Sequence, residues 1–156
     1  MKLYVRHLTE EDARQICTWR YDGDYSVYNY PEWEIIVEQN WGLGQVMIRE
    51  KEFFAVVNEK DELIGHFRLK AQEETIFLGV GLAPKLCGLG YGEAVMELIK
   101  NESKERYPDK LLALEVRSFN HRAMKCYQKA GFRWVDVFEK KIPSGSDVFV
   151  RMEFEG

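Results

Sequence analysis

Two stretches of the chain hold residue types that can do chemistry. The first is Gly79-Val80-Gly81-Leu82-Ala83-Pro84-Lys85-Leu86-Cys87-Gly88-Leu89-Gly90-Tyr91-Gly92. It reads as a strand, then a loop carrying Gly88, Gly90 and Gly92, then an amphipathic helix. Glycine lets a backbone approach a ligand closely, because no Cβ intervenes. The start of a helix offers unpaired N–H groups and the positive end of a dipole. Combined, they make a cradle for phosphate. No Gly-Lys-Ser/Thr closes the loop, so it is not a P-loop. The G-x-G-x-G spacing and a mid-chain position behind three strands argue against a dinucleotide fingerprint. The second stretch runs from Asn120 to Phe132. In a helix, Ala123, Tyr127 and Ala130 fall on one face, and Asn120 stands where a cap belongs. Each stretch also has a plain structural use: a turn without a ligand, a core tyrosine between alanines, an asparagine that only caps.

The elements that must position these residues follow from patterning. Residues 2–8 alternate apolar and polar and predict a strand. Thr9-Glu10-Glu11-Asp12 predicts a helix start, with Thr9 as N-cap and acids in the first turn. The helix runs to about Arg20. Tyr21 to Tyr30 is a polar, aromatic loop. Pro31 suits the first position of a second helix over about Glu32–Asn40, which Gly42 and Gly44 interrupt. Phe53–Val57, Leu63–Leu69 and Thr75–Leu82 read as a meander of strands. The glycine loop Ala83–Gly92 and a helix to about Arg106 follow. Leu111–Val116 reads as a strand buried on both faces. A helix over His121–Lys129 closes at Gly131, and Phe132–Lys141 and Val148–Phe154 are the last strands. The order is β-α-α-β-β-β-α-β-α-β-β. It predicts an α+β fold, with a central mixed, mostly antiparallel sheet of about seven strands and helices on both faces.

Glycine loop, helix, strand, then Asn-x-x-Ala-x-x-x-Tyr-x-x-x-Gly-Phe resembles the GNAT superfamily of N-acetyltransferases. Its cofactor motif, Arg/Gln-x-x-Gly-x-Gly/Ala, reads here Lys85-Leu86-Cys87-Gly88-Leu89-Gly90. Lys85 is the departure. The element order is similar to the family's over nearly the whole chain. The resemblance implies an acetyl-CoA site on Lys85, Cys87, Gly88, Leu89, Gly90, Tyr91 and Gly92, with the pyrophosphate on the amides of Cys87, Gly88, Gly90, Tyr91 and Gly92. It implies that Thr75–Leu82 carries a bulge and parts from Leu111–Val116. Pantetheine would lie in that split near the Leu82 backbone and would touch Asn120. Tyr127 would protonate the departing thiolate. A phenol, with a reference pKa of about 10, is well matched to an alkyl thiol. Leu114-Glu115-Val116-Arg117-x-x-Asn120 is closest to the ribosomal-protein alanine N-acetyltransferase branch, which implies Glu115 as the base. Glu73 and Glu74 are the runners-up. The aromatic pair that this branch carries after its Gly-Phe strand is replaced here by Val135-Asp136-Val137-Phe138. The branch's peptide specificity therefore does not carry over.

The acceptor side should be the N-terminal segment. Tyr21, Asp24, Tyr28 and Trp33 stand in a run crowded with aromatic rings and carboxylates. Both suit a cationic amine, small or on a protein, through cation–π contact and charge pairing. Packing aromatics beside a solvated acidic face is the plain alternative.

Composition bounds the function classes. The 156 residues are one domain's length, enough to bury roughly 70% of the unfolded surface without disulfides or metal. A net charge of −4 argues against general nucleic-acid binding. Residues 1–78 carry a net −6 and residues 79–156 a net +2. An acidic half could draw a cationic substrate and a basic half an anionic cofactor. No apolar run reaches the ~20 residues of a membrane span, and no signal-peptide core opens the chain. Three cysteines without a CxxC pair, and scattered histidines, argue for a reducing cytoplasm and against a metal site. The expectation is a cytoplasmic acetyl-CoA-dependent N-acetyltransferase, able to form a homodimer. Its rivals are a non-catalytic acyl-CoA sensor and a nucleotide-binding module.

Overall fold

The structure, a computed structural model, describes residues 2–154. Its contacts gather the chain into two compact units. The first runs to Arg68 and resumes at Val80–Val95; the second holds Leu69–Gly79 and resumes at Met96. Hydrogen bonding orders seven strands as β1-β2-β3-β4-β5-β7-β6.

In the first unit β1 (Tyr4–His7) pairs antiparallel with β2 (Phe53–Val57), and β2 pairs antiparallel with β3 (Leu63–Gln72). Helix α1 spans Glu10–Ile16. The predicted Thr9 cap is present as a capping box. Thr9 Oγ1 accepts from the Asp12 amide at 3.1 Å, and Asp12 Oδ2 accepts from the Thr9 amide at 2.9 Å. Burial raises the Asp12 pKa, but Arg6 at 2.6 Å and the Thr9 amide outweigh it and hold the carboxyl below its ordinary value.

The structure shortens α1 by one turn relative to expectation. Thr18 Oγ1 bonds the Gln15 carbonyl, and Arg20 turns back to donate to the carbonyls of Cys17, Trp19 and Tyr30. The bonds to the Gln15, Cys17 and Trp19 carbonyls satisfy groups at and beyond the helix end, and the bond to Tyr30 ties Arg20 to a later segment. Helix α2 is Trp33–Glu38, capped at Glu32. Pro31 therefore lies outside the helix rather than at its first position, because Glu32 stays extended at φ −58° and ψ 152°.

Helix α3 (Val46–Glu52) is an addition to the predicted order. Its apolar residues are contiguous rather than helically spaced, and Val46 and Met47 face solvent. Its buried face is carried by Arg49, which donates to the Leu43 carbonyl at 2.9 Å. A charged residue inside leaves no apolar stripe to read.

The second unit holds three strands in antiparallel register. β5 (Leu111–Arg117) pairs with β7 (Gly145–Phe154), and β7 pairs with β6 (Phe132–Ile142). β4 (Thr75–Leu82) meets β5 in parallel over only three pairs, Thr75↔Leu111 to Phe77↔Ala113. From Leu114 to Arg117, β5 is paired through β7. Helix α4 covers Tyr91–Arg106, and α5 covers the predicted His121–Lys129. Gly131 follows α5 at φ +105°, where a Cβ would stand 2.8 Å from the Phe154 ring.

One close approach organises the first unit. A Cβ on Gly65 of β3 would lie 2.6 Å from the Gly81 carbonyl of β4, and a Cβ on Gly81 would lie 2.6 Å from His66 Nε2. The buried His66 ring also sits 5.9 Å from Trp19 and 6.4 Å from Tyr30, and its Nδ1 has no hydrogen-bond partner. Burial pushes its pKa down to about 4. Two outcomes are expected. Gly65→Ala should lower stability by about 1–3 kcal/mol in chemical denaturation, because the neighbour is backbone that cannot yield. His66 is neutral when folded and binds a proton more readily when unfolded, so stability should rise with pH between about 4 and about 6.5 and be flat above. At about 1.4 kcal/mol per pKa unit, its share is about 3 kcal/mol. His66→Phe should flatten that slope in a pH series of denaturation curves; an unchanged slope would contradict the assignment.

Candidate active site

In the first unit the glycine loop joins β4 to α4. A short 3-10 turn at Pro84–Leu86 is followed by Gly88 and Gly90 in left-handed conformations, φ +79° and +87°. A Cβ at either would meet nothing within 4 Å, so the space over the loop is open. Helix α4 begins at Tyr91, and the first amides of a helix have no intrahelical acceptor. The loop therefore presents backbone donors at the positive end of a 16-residue helix to open space. That fits the pyrophosphate of a coenzyme A. Lys85 and Leu89 are exposed beside it. Cys87 Sγ lies 3.7 Å from the Ala83 carbonyl, a structural contact for this thiol.

The backbone around Leu82 is held from two sides. The Ala83 amide donates to the Ile64 carbonyl at 2.9 Å, and the Tyr21 hydroxyl donates to the Leu82 carbonyl at 2.5 Å. Burial drives the Tyr21 pKa up, so this phenol stays protonated and acts as a fixed donor. Tyr21 was read from sequence as an acceptor-side residue; its hydroxyl bonds the β4 backbone. Asp24 and Tyr28 are exposed on a 3-10 turn, Gly23–Tyr28. Trp33 packs against the first unit's core, with the Arg14 and Arg49 guanidinium carbons 5.0 and 5.9 Å from its ring centre. An open groove of about 1180 Å³ in this unit is lined by residues that include Arg6, Asp12, Trp19, Asp61, Lys85 and Tyr91. Its charges are of both signs and partly paired with one another, as in Arg6–Asp12 and Arg6–Asp61.

In the second unit Asn120 is the buried N-cap of α5, and its side chain accepts from the Ala123 amide at 3.1 Å. Two turns further along the helix, half-buried Tyr127 tilts against Phe132 with ring centres 6.1 Å apart. Glu115, half-buried on β5, forms a 2.9 Å ion pair with Lys140 of β6. Arg117, two residues along β5, pairs instead with Asp147 at 2.9 Å. β6 and β7 carry Lys140 and Asp147 to this face, and only the strand register shows it. The runners-up, Glu73 and Glu74, are exposed residues of the β3–β4 turn. Their carbonyls are engaged, Glu73's by Lys110 and Glu74's by the Leu111 amide.

His66 is the residue that sequence reading passed over. Its signal was the triplet Gly65-His66 facing Gly81, which is legible only once β3 and β4 are paired. Among the described residues no group of three His, Cys, Asp or Glu side chains could hold a metal ion, and no helix is long and apolar enough to cross a membrane.

Comparison with known proteins supplies the remaining evidence. A search among curated proteins finds no significant match. Among solved structures, a spermidine N-acetyltransferase chimera from Vibrio cholerae and hSSAT superposes with a TM-score of 0.74 at 19% identity, covering 99% of this chain and 95% of that one. A dodecameric spermidine N-acetyltransferase from Vibrio cholerae gives 0.75 at 20% identity, covering 97% and 92%. A ribosomal-protein alanine N-acetyltransferase from Escherichia coli gives 0.69 at 18% identity, covering 98% and 93%. At such identities these likenesses establish the fold. The sequence profile of the acetyltransferase (GNAT) family matches residues 10–132, most of the chain. Fold, motif and profile agree: the chain belongs to the acetyltransferase (GNAT) family and is an acetyl-CoA-dependent N-acetyltransferase.

Proposed function

We propose that the chain binds acetyl-CoA on the loop from Lys85 to Gly92 and transfers its acetyl group directly to a primary amine in a ternary complex. The observation that carries this reading is the loop itself: two left-handed glycines under open space, leading into the start of α4. The Leu82 backbone and Asn120 hold the pantetheine arm. The Leu82 amide stabilises the oxygen that gains charge when the thioester carbonyl is attacked. Glu115 takes the amine's proton. Tyr127 gives its phenolic proton to the leaving thiolate. Holding both reactants together supplies much of the rate by proximity.

The acceptor is a cationic amine. The acidic first half of the chain and the exposed Asp24 and Tyr28 support this reading; Tyr21 and Trp33 shape the same segment. The fold neighbours act on a polyamine and on a protein alanine, so small amines and peptide amines are both to be tried. One neighbour is a dodecamer, which supports homo-oligomer formation here. The chain acts as a single domain in the cytoplasm.

The test is release of free CoA at about pH 8, where more of the acceptor is neutral. Polyamines, N-terminal peptides, aminoglycosides and amino acids are offered in separate pools, with acetyl-CoA binding measured alongside. Release with one pool is expected. Binding without release from any pool would favour the non-catalytic sensor. Tyr127→Phe should lower kcat on the order of tenfold or more while leaving acetyl-CoA affinity nearly unchanged. An unaltered kcat would remove Tyr127 from the acid role.

A further inference from the structure

An amine that a base is to deprotonate must come within hydrogen-bond reach of it, about 2.6–3.2 Å. One amine of the chain already meets that condition. Lys140 Nζ lies 2.9 Å from Glu115 Oε1 and 5.3 Å from the centre of the Phe149 ring. We propose that Lys140 is itself an acceptor, a self-acetylation site of this enzyme. The proposal rests on the reading of Glu115 as base.

The strand register shows that this pair is not a by-product of neighbouring strands. Lys140 stands opposite Asp147 on β7, and Glu115 stands opposite Arg151. Both of those cross-strand partners are engaged elsewhere. Asp147 pairs with Arg117 at 2.9 Å, and Arg151 pairs with Glu153 at 3.0 Å and lies over Phe77. Lys140 therefore reaches past its own partner, across β7, to the one carboxylate assigned a chemical role. Phe149, stacked on Phe138 at 6.1 Å, offers its ring face to the ammonium on the way. The Lys140 side chain is 52% exposed, so it is open to a reactant from solvent. Other lysines are differently placed. Lys100 is held by Glu97 and the Ala130 carbonyl, and Lys110 by the backbone carbonyl of Glu73.

The step balances without any further reactant. The Lys140 ammonium gives one proton to Glu115, which passes it to solvent. The neutral nitrogen attacks the acetyl-CoA carbonyl carbon. The C–N bond forms, the C–S bond breaks, and CoA leaves as a thiolate that takes the Tyr127 proton. The second nitrogen proton restores the phenol. The acetylated side chain carries no charge, so it no longer pairs with Glu115.

The experiment is intact-mass analysis of the full chain incubated with acetyl-CoA and no added amine, followed by peptide mapping. The same preparation is assayed in parallel against the amine pools. One acetyl group on Lys140 is expected, gained at a rate independent of protein concentration. Lys140→Arg, which keeps the ion pair, should abolish the gain; Lys141→Arg should retain it. Glu115→Gln should slow it on the order of tenfold or more. Wild-type gain in Lys140→Arg, or an undiminished rate in Glu115→Gln, would overturn the proposal. CoA release to an added amine with no mass gain would overturn self-acetylation alone, whereas failure of both would overturn the acetyl-transfer reading on which it rests.

Discussion

The first unit depends on one steric constraint: a Cβ on Gly65 of β3 would run into the Gly81 carbonyl of β4, and a Cβ on Gly81 would run into the His66 ring. The consequences run outward from there. With no Cβ on Gly81, the His66 ring can lie against the β4 backbone, walled by Trp19 and Tyr30. Burial keeps that ring neutral and leaves its Nδ1 without a hydrogen bond, an energetic cost that the packing around it must offset. The end of β4 is then pinned by the Ala83–Ile64 and Tyr21–Leu82 hydrogen bonds. The glycine loop thus departs from a fixed point. Backbone donors in a loop are useful only if their positions are set in advance, and this contact sets them.

The second unit solves a different problem. β5, β7 and β6 present a face where charged and aromatic side chains alternate with core residues. Its ion pairs join residues that are not register partners: Arg117 to Asp147, Arg151 to Glu153 along β7, and Glu115 to Lys140 across it. Half-exposed pairs of this kind add little stability. They decide which carboxylate is neighboured by a movable ammonium and which by a guanidinium that stays charged. As its buried cap, Asn120 fixes the start of α5, the helix that presents Tyr127.

The sequence by itself determined most of the frame. Apolar runs set off by turn residues marked β2 and β4 to the residue, the Thr9 cap marked the start of α1, and Asn120 and Gly131 bracketed α5, because these signals are local and each rests on a few adjacent side chains. The glycine loop was legible for the same reason: its glycines and the helix start that follows them lie within ten residues. Tertiary structure decided the rest. Helix α3 was hidden because its buried face is an arginine. The end of α1 was set by Arg20 reaching the Tyr30 carbonyl ten residues away. The roles of Gly65, Gly81 and His66, and the pairing of Glu115 with Lys140 across an intervening strand, exist only between segments distant in sequence. Side-chain periodicity records which way a residue faces. It does not record what it will face, because that is fixed only when strand register brings separate segments together.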